Sequence, residues 1–367
     1  MNDLLPAPPQ RDLAPSTRNE IKRAVMAEIA VHPARGSTTT RQTPPPAELR
    51  RLRRMASAAA AILALLLVLP IVFADRDSGA ASAREVLTRV ASAAAAHPST
   101  MLDEGQYLWH KSLDMHRVEQ GAHTLLVTTS REIWKASNGT GLIVSKAIDV
   151  DFESPVERAA WEQSGERLIW GNFADLGLHG EPTACDYTRP GSMFTPGIPH
   201  DLDSYPSDPD ALEQVLREEV IHGNIAAASE AKQTSTMFDE IGDKLSNLPG
   251  SSQQRAAFFE VLARLPGIEA LGPRTDHVGR VGTAIGATWY GVRSEMIVDP
   301  STGRVLEFRR YQVDPPESLG SGQQGTPSPG MGLNHDRVDD PGTLLGWSTV
   351  VRMEAVNSLP PHTPTCG

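Results

Sequence analysis

Aromatic side chains are scarce in this 367-residue sequence, at 5%, so any core it builds is held by aliphatic packing. Cysteine is scarcer still: Cys185 and Cys366 are the only two. The first 54 residues contain no cysteine and a single histidine, His32, which excludes a zinc-bearing fold there. Positive charge is in deficit, with 34 Lys and Arg against 45 Asp and Glu. The resulting net charge of −11 argues against nucleic-acid binding by the whole molecule, because neutralising phosphates takes Lys and Arg in excess. There is no Gly-x-Ser-x-Gly nucleophile elbow. The stretch from Gly279 to Gly286 is glycine-rich but has the wrong spacing for a dinucleotide loop and lacks the Gly-Lys of a phosphate loop. Its glycines read more simply as sheet turns or bulges. No internal repeat is evident. The expectation is therefore a chain without a catalytic site, a metal site or a cofactor.

Glycine and proline are plentiful, 30 and 29 residues, and point to long loops. The charge is unevenly placed. Residues 1–54 carry ten Lys and Arg against five Asp and Glu, a net of +5 that leaves −16 for the remainder. The run from Met55 to Ala74 is twenty residues without a charge. At about 1.5 Å per residue it spans roughly 30 Å, the thickness of a bilayer's hydrocarbon core. Arg50, Arg51, Arg53 and Arg54 stand immediately before it, which sets the near side as cytoplasmic. Val72-Phe73-Ala74 offers the small residue that a signal peptidase accepts. Yet the basic cluster follows some fifty residues of chain, and the apolar run exceeds the roughly 7–15 residues of a signal core. The expected topology is an uncleaved signal-anchor: N-terminus inside, one transmembrane helix, and residues 75–367 outside at the cell membrane.

On the inner side, Ser16 caps a helix expected to reach about Val31, with Ile21, Ala24, Val25 and Ile29 on one face. Pro33 and the Ser/Thr/Pro stretch from Gly36 to Pro46 end it as a linker. One helix of four turns is marginal alone in water. Its Ile21/Val25/Ile29 face is a candidate partner surface, with a place on the membrane surface as the alternative. On the outer side, Ser82-Ala83-Arg84-Glu85 reads as a capping box opening a helix to about Ala96. Leu125, Val127, Thr129 and Ile133, then Leu142, Val144, Ile148, Val150 and Phe152, alternate as strands on either side of an Asn138-Gly139 turn. They predict an antiparallel sheet with one covered face. Residues 175–206 read as a long irregular loop. Three helices follow: one from Asp208-Pro209, one carrying Met237 to Leu248, and one opening at Ser251 and stopping by Pro266-Gly267. Strands return around the Asp299–Gly303 turn, a flexible insert occupies 315–340, and Leu344 to Val356 supplies a last strand. The fold class is α+β, an antiparallel sheet packed against several helices, with an open half-barrel as one form of it.

Three segments together are familiar: Arg131-Glu132-Ile133-Trp134 with Asn138-Gly139-Thr140; Met237-Phe238-Asp239-Glu240-Ile241-Gly242-Asp243; and Leu265-Pro266-Gly267-Ile268 through Ile297-Val298-Asp299-Pro300-Ser301-Thr302-Gly303. With the Arg-flanked span, the chain resembles a group of actinobacterial single-pass membrane proteins of unassigned function. The resemblance covers nearly the whole chain and is best over residues 208–313. Such relatives are often encoded near extracytoplasmic-function sigma factors. What the resemblance implies is the topology, and a regulatory role with a sigma factor as cytoplasmic partner.

His110, His116 and His123 stand near the first strands, and the interval of six puts the first two on one face of a continuous strand. A metal would need a third ligand and an outer shell, so surface or partly buried histidines are the simpler reading. His200-Asp201-Leu202-Asp203-Ser204-Tyr205 begins like a calcium loop but has Pro206 where the sharp turn wants glycine, and no closing glutamate. Cys185 and Cys366 both fall on the expected outer side, where disulfides persist. A bridge would tie the long loop to the C-terminal end and contribute about 5 kcal/mol in the loop-entropy picture. Two free thiols are the alternative. Two functional readings emerge: a membrane-anchored extracytoplasmic sensor or regulator of unknown ligand, and an anchored binding module for an apolar or lipid-like envelope ligand. The second rests on analogy with open half-barrel lipid carriers.

Overall fold

The computed structural model describes residues 82–98, 101–165, 183–188, 193, 200–220, 229–313 and 341–361. Over these residues the protein is α+β, with five helices and one nine-stranded antiparallel sheet. The strands are β1 (Tyr107–Gln120), β2 (His123–Ala136), β3 (Gly141–Phe152), β4 (Thr183–Tyr187), β5 (Ile268–Thr275), β6 (Val281–Trp289), β7 (Val292–Asp299), β8 (Arg304–Gln312) and β9 (Leu344–Val356). The helices are α1 (Ala83–Ala96), α2 (Pro155–Ser164), α3 (Pro209–Val220), α4 (Glu230–Asn247) and α5 (Ser252–Leu262). Strand order is β4-β3-β2-β1-β9-β8-β7-β6-β5. Two four-stranded meanders, one on each side of the helices in sequence, are thus joined by the last strand, which pairs with β1 and β8.

Register places Phe308, Ser348, Asp114, Thr129 and Ala147 in a row across β8, β9, β1, β2 and β3. That row belongs to the side that carries α4, because a Cβ added at Gly242 would lie 2.7 Å from the Phe308 ring. Phe238 and Phe308 meet with centroids 5.9 Å apart. Farther along the same side, α2 covers Leu125, Val127, Ala147, Val150 and Phe152 with Trp161. The α1 helix lies against α5. Its capping box is complete: Glu85 N donates to Ser82 Oγ, and Ser82 N donates to the Glu85 carboxylate.

The expectation of a single covered face does not hold. The opposite side buries Leu113, Met115 and Trp347 as well. Leu142 and Val144 are found there, while Val150 and Phe152 face the helices. One extra residue in β3 opposite Thr128/Thr129 switches the alternation between those two groups. The long loop expected over 175–206 is interrupted by β4, a five-residue edge strand too short to show a period. The glycine-rich stretch at 279–286 is mostly strand β6 rather than turns. A Cβ on Gly282 would stand 2.5 Å from the Val298 carbonyl oxygen and 2.7 Å from Ile297, so glycine is needed there for close approach. The α2 helix shows no apolar periodicity in the sequence because its only buried side chain is Trp161. Its signals were local: Ser154 at the N-cap, Pro155 next, and Gly165 left-handed at φ +66°. The last strand occupies Leu344–Val356 as expected.

Candidate functional site

Strand β1 is unbroken, so His110, Ser112, Asp114 and His116 do share one face, the one turned toward the helices. His116 and His123 are partly buried, one of the two environments expected, and His110 is buried more deeply. His110 is 4% exposed, and Ser112, Asp114 and Thr129 beside it are buried. The Asp114 carboxylate accepts from Ser112 Oγ at 2.7 Å and from Ser348 Oγ of β9. Arg131 of β2 pairs across from Ser112, and it and Asp243 of α4 are exposed at the solvent edge. The result is a polar layer between sheet and helix, where burial of apolar side chains would be cheaper.

His110 stands out within it. Cross-strand neighbours Ile133 and Met353 flank it. The ring lies against the Ser246 backbone of α4, without a well-formed hydrogen bond at either nitrogen. Burial pushes its pKa down to about 4, and Arg131 adds to this, while Asp114 and the Ser246 backbone pull the other way. Burial lowers His116 too, against Asp114 and together with Arg131. Asp243 is exposed, yet the protein body behind it and Glu240 beside it raise its carboxyl above the ordinary range. Among the described residues, no group of three or more His, Cys, Asp or Glu is placed to hold a metal ion. His123 instead packs edge-on against Trp161.

The rest of α4 is anchored by charge. Asp239 pairs with Arg310 of β8 at 2.6 Å, and Lys244 bridges Glu240 at 2.9 Å and Glu219 of α3 at 3.3 Å. Lys244 also lies over the Tyr205 ring, whose phenol is pushed up to about 12, mainly by burial.

A second polar constellation lies on the other side of the sheet and is a clasp. The β5–β6 loop folds over β8 and β9. His277 donates through its backbone N–H to Glu307 Oε2 at 2.7 Å, and its ring Nδ1 meets the same oxygen at 2.8 Å. Thr349 Oγ1 donates to that oxygen as well, at 2.7 Å, and the His277 ring stacks on Trp347. Arg280 pairs with the buried Asp276 and reaches the carbonyls of Leu306 and Val350. Glu295 and Arg309 continue the ladder. These bonds hold the loop's shape, tie it to β8 and β9 and link β7 to β8, which assigns the group to stability.

Of the sequence-predicted sites, Arg50, Arg51, Arg53, Arg54, the Met55–Ala74 span, and the Ile21/Val25/Ile29 face lie outside the described residues. Among the described residues, no helix is long and apolar enough to cross a membrane. Cys185 sits on β4 opposite Ile143 and is disulfide-bonded; Cys366, the chain's other cysteine, lies outside the described residues. The carboxylates of the calcium-like segment serve as caps: Asp201 accepts from Ser204 N, and Asp203 from Ser251 N. Asp114, Ser348 and Asp243 were not singled out from the sequence. The interval from His110 to His116 was the available signal, and only cross-strand register adds the others. No family model, no curated protein and no solved structure matches the chain.

Proposed function

We propose that the protein is a membrane-anchored extracytoplasmic sensor or regulator that acts by binding and conformational change rather than catalysis. One observation carries this reading. The sheet meets the end of α4 through a titratable polar layer that stability alone would not select, and that layer opens to solvent at Arg131 and Asp243. The division of charge about residues 55–74 supports it, since a +5 tail and a −16 remainder suit opposite sides of a bilayer. On this reading the Ile21/Val25/Ile29 face meets a cytoplasmic protein, a sigma factor being the first candidate. The test uses the full chain in its host, with Ile21, Val25 and Ile29 each changed to Lys. Transcripts that respond to loss of the protein should respond equally to these changes. An unaltered transcript profile would refute the reading.

The alternative, a module for an apolar envelope ligand, draws on the same open sheet with helices on one side. The close contact at Gly242 and the polar character beneath α4 weigh against an acyl chain at that interface.

A further inference from the structure

We propose that the last turns of α4 form an acid-responsive latch, released when the buried His110 takes up a proton. The inference rests on the sensor reading and names its stimulus. His110 is the only residue of the layer that is both almost fully buried and without a hydrogen-bonded ring nitrogen among the described residues. A neutral imidazole tolerates that position; an imidazolium is disfavoured, because Asp114 and the Ser246 backbone do not make up for its lost water. The charged groups that face it come from three elements. On its own strand are Asp114 and His116, and on β2 there is Arg131. From α4 there is Asp243, with Glu240 and Lys244 on the adjoining turns. Burial and Arg131 oppose protonation and outweigh Asp114 and the Ser246 backbone.

The end of α4 is also the part of the helix least tied to the sheet by polar bonds. Ser246 Oγ donates to Gly242 O, and Asn247 Nδ2 to Asp243, both within the helix. The anchors at Asp239–Arg310 and Gly242–Phe308 lie one to two turns earlier. Freeing residues 243–248 breaks the Lys244 bridge to Glu219 of α3 but leaves the Asp239 and Gly242 anchors in place.

The sign follows from the direction of the shift. The folded value near 4 lies below the ordinary 6.5, so the released state binds the proton more tightly, by roughly 300-fold. Release is favoured about tenfold for each pH unit below 6.5 and saturates below 4. His116, also lowered, acts in the same direction. Asp243, raised in the seated state, takes up a proton there and opposes release, so the His110 contribution is isolated by comparing variants.

The experiment is hydrogen–deuterium exchange on the full chain in lipid nanodiscs, from pH 7 to 4.5, with intrinsic exchange rates corrected. Protection across residues 243–248 should fall by up to about 100-fold in the wild type, and protection across α1 and α5 should not change. In H110F and in H110Q the fall should shrink to the few-fold that His116 supplies. Should either variant misfold, ring titration of histidine-labelled wild type replaces it, with one imidazole expected near pH 4. A pH-independent α4, an equal fall in H110F, or no imidazole titrating well below 6 would overturn the latch. A parallel acid step in cells separates the two claims. If α4 opens but no transcript responds through Val25, the sensor reading fails and the latch stands. If transcripts respond and α4 stays closed, the latch alone fails.

Discussion

Replacing Glu307 by glutamine removes the charge on which the β5–β6 clasp closes, while keeping the side chain's size. Glu307 is fully buried, and one of its oxygens takes two bonds from His277 and one from Thr349. The other oxygen lies 3.5 Å from Arg309 Nη1. An amide preserves at most the acceptor side and turns its NH₂ toward a donor, leaving His277 or Arg309 without its counter-charge. Breaking a buried pair from one side costs about 3–5 kcal/mol, and the retained acceptor returns part of that, so about 2–4 kcal/mol is expected. For a folded unit of this size, that lowers the melting temperature by at least about 5 °C. Near-UV circular dichroism of the full chain in detergent reports it, through the Trp347 ring stacked on His277. Acid adds a check. Burial by itself would raise the Glu307 carboxyl, but His277 and Thr349 hold it below the usual range. Its stabilisation is therefore complete above the unfolded value and lost as pH falls through the depressed folded one. The gap between wild type and E307Q should narrow in acid. A change under 1 °C at neutral pH, or a gap that widens in acid, would refute the assignment of this group to stability.

Two further outcomes test the packing and the covalent tie. Gly282→Ala should cost about 1–3 kcal/mol in urea unfolding, since its Cβ would meet a backbone oxygen that cannot swing aside; an unchanged midpoint would mean that the hairpin is not pressed on β7. Thiol titration should find no reactive Cys185 in the unreduced native chain and two thiols after reduction, with peptide mapping joining Cys185 to Cys366. Two reactive thiols before reduction would remove that bridge.

Elements with strong local chemistry were legible in the sequence. The Ser82 capping box, the Asn138-Gly139 turn and the Leu344–Val356 strand all lie where the pattern puts them. What the pattern could not show depends on partners far along the chain. The strand containing His110 and His116 alternates between Trp109, Lys111 and Leu113 on one side and polar residues on the other, which reads as an exposed face. Burial at His110 comes with the Ser246 backbone of α4, a partner more than 130 residues away. Likewise Glu307 and Arg309 resemble the polar side of a strand, and the fold of a hairpin over them makes them core. Both cases share a cause: burial of charge is decided by tertiary partners, and single-strand periodicity carries no information about them.

The position of β9 has a consequence for how the protein is made. The strand that completes the sheet is the last of the described strands, and it lies between β1 and β8, which are nearly 200 residues apart. Until it emerges, each meander presents an unpaired edge, β1 on one and β8 on the other, of the kind that invites pairing with other chains. The sheet therefore cannot be completed until β9 has been made, and both edges need shielding until then. Loss of residues 344–356 would leave β1 and β8 as two further open edges, so one strand guards both meanders against pairing with other chains.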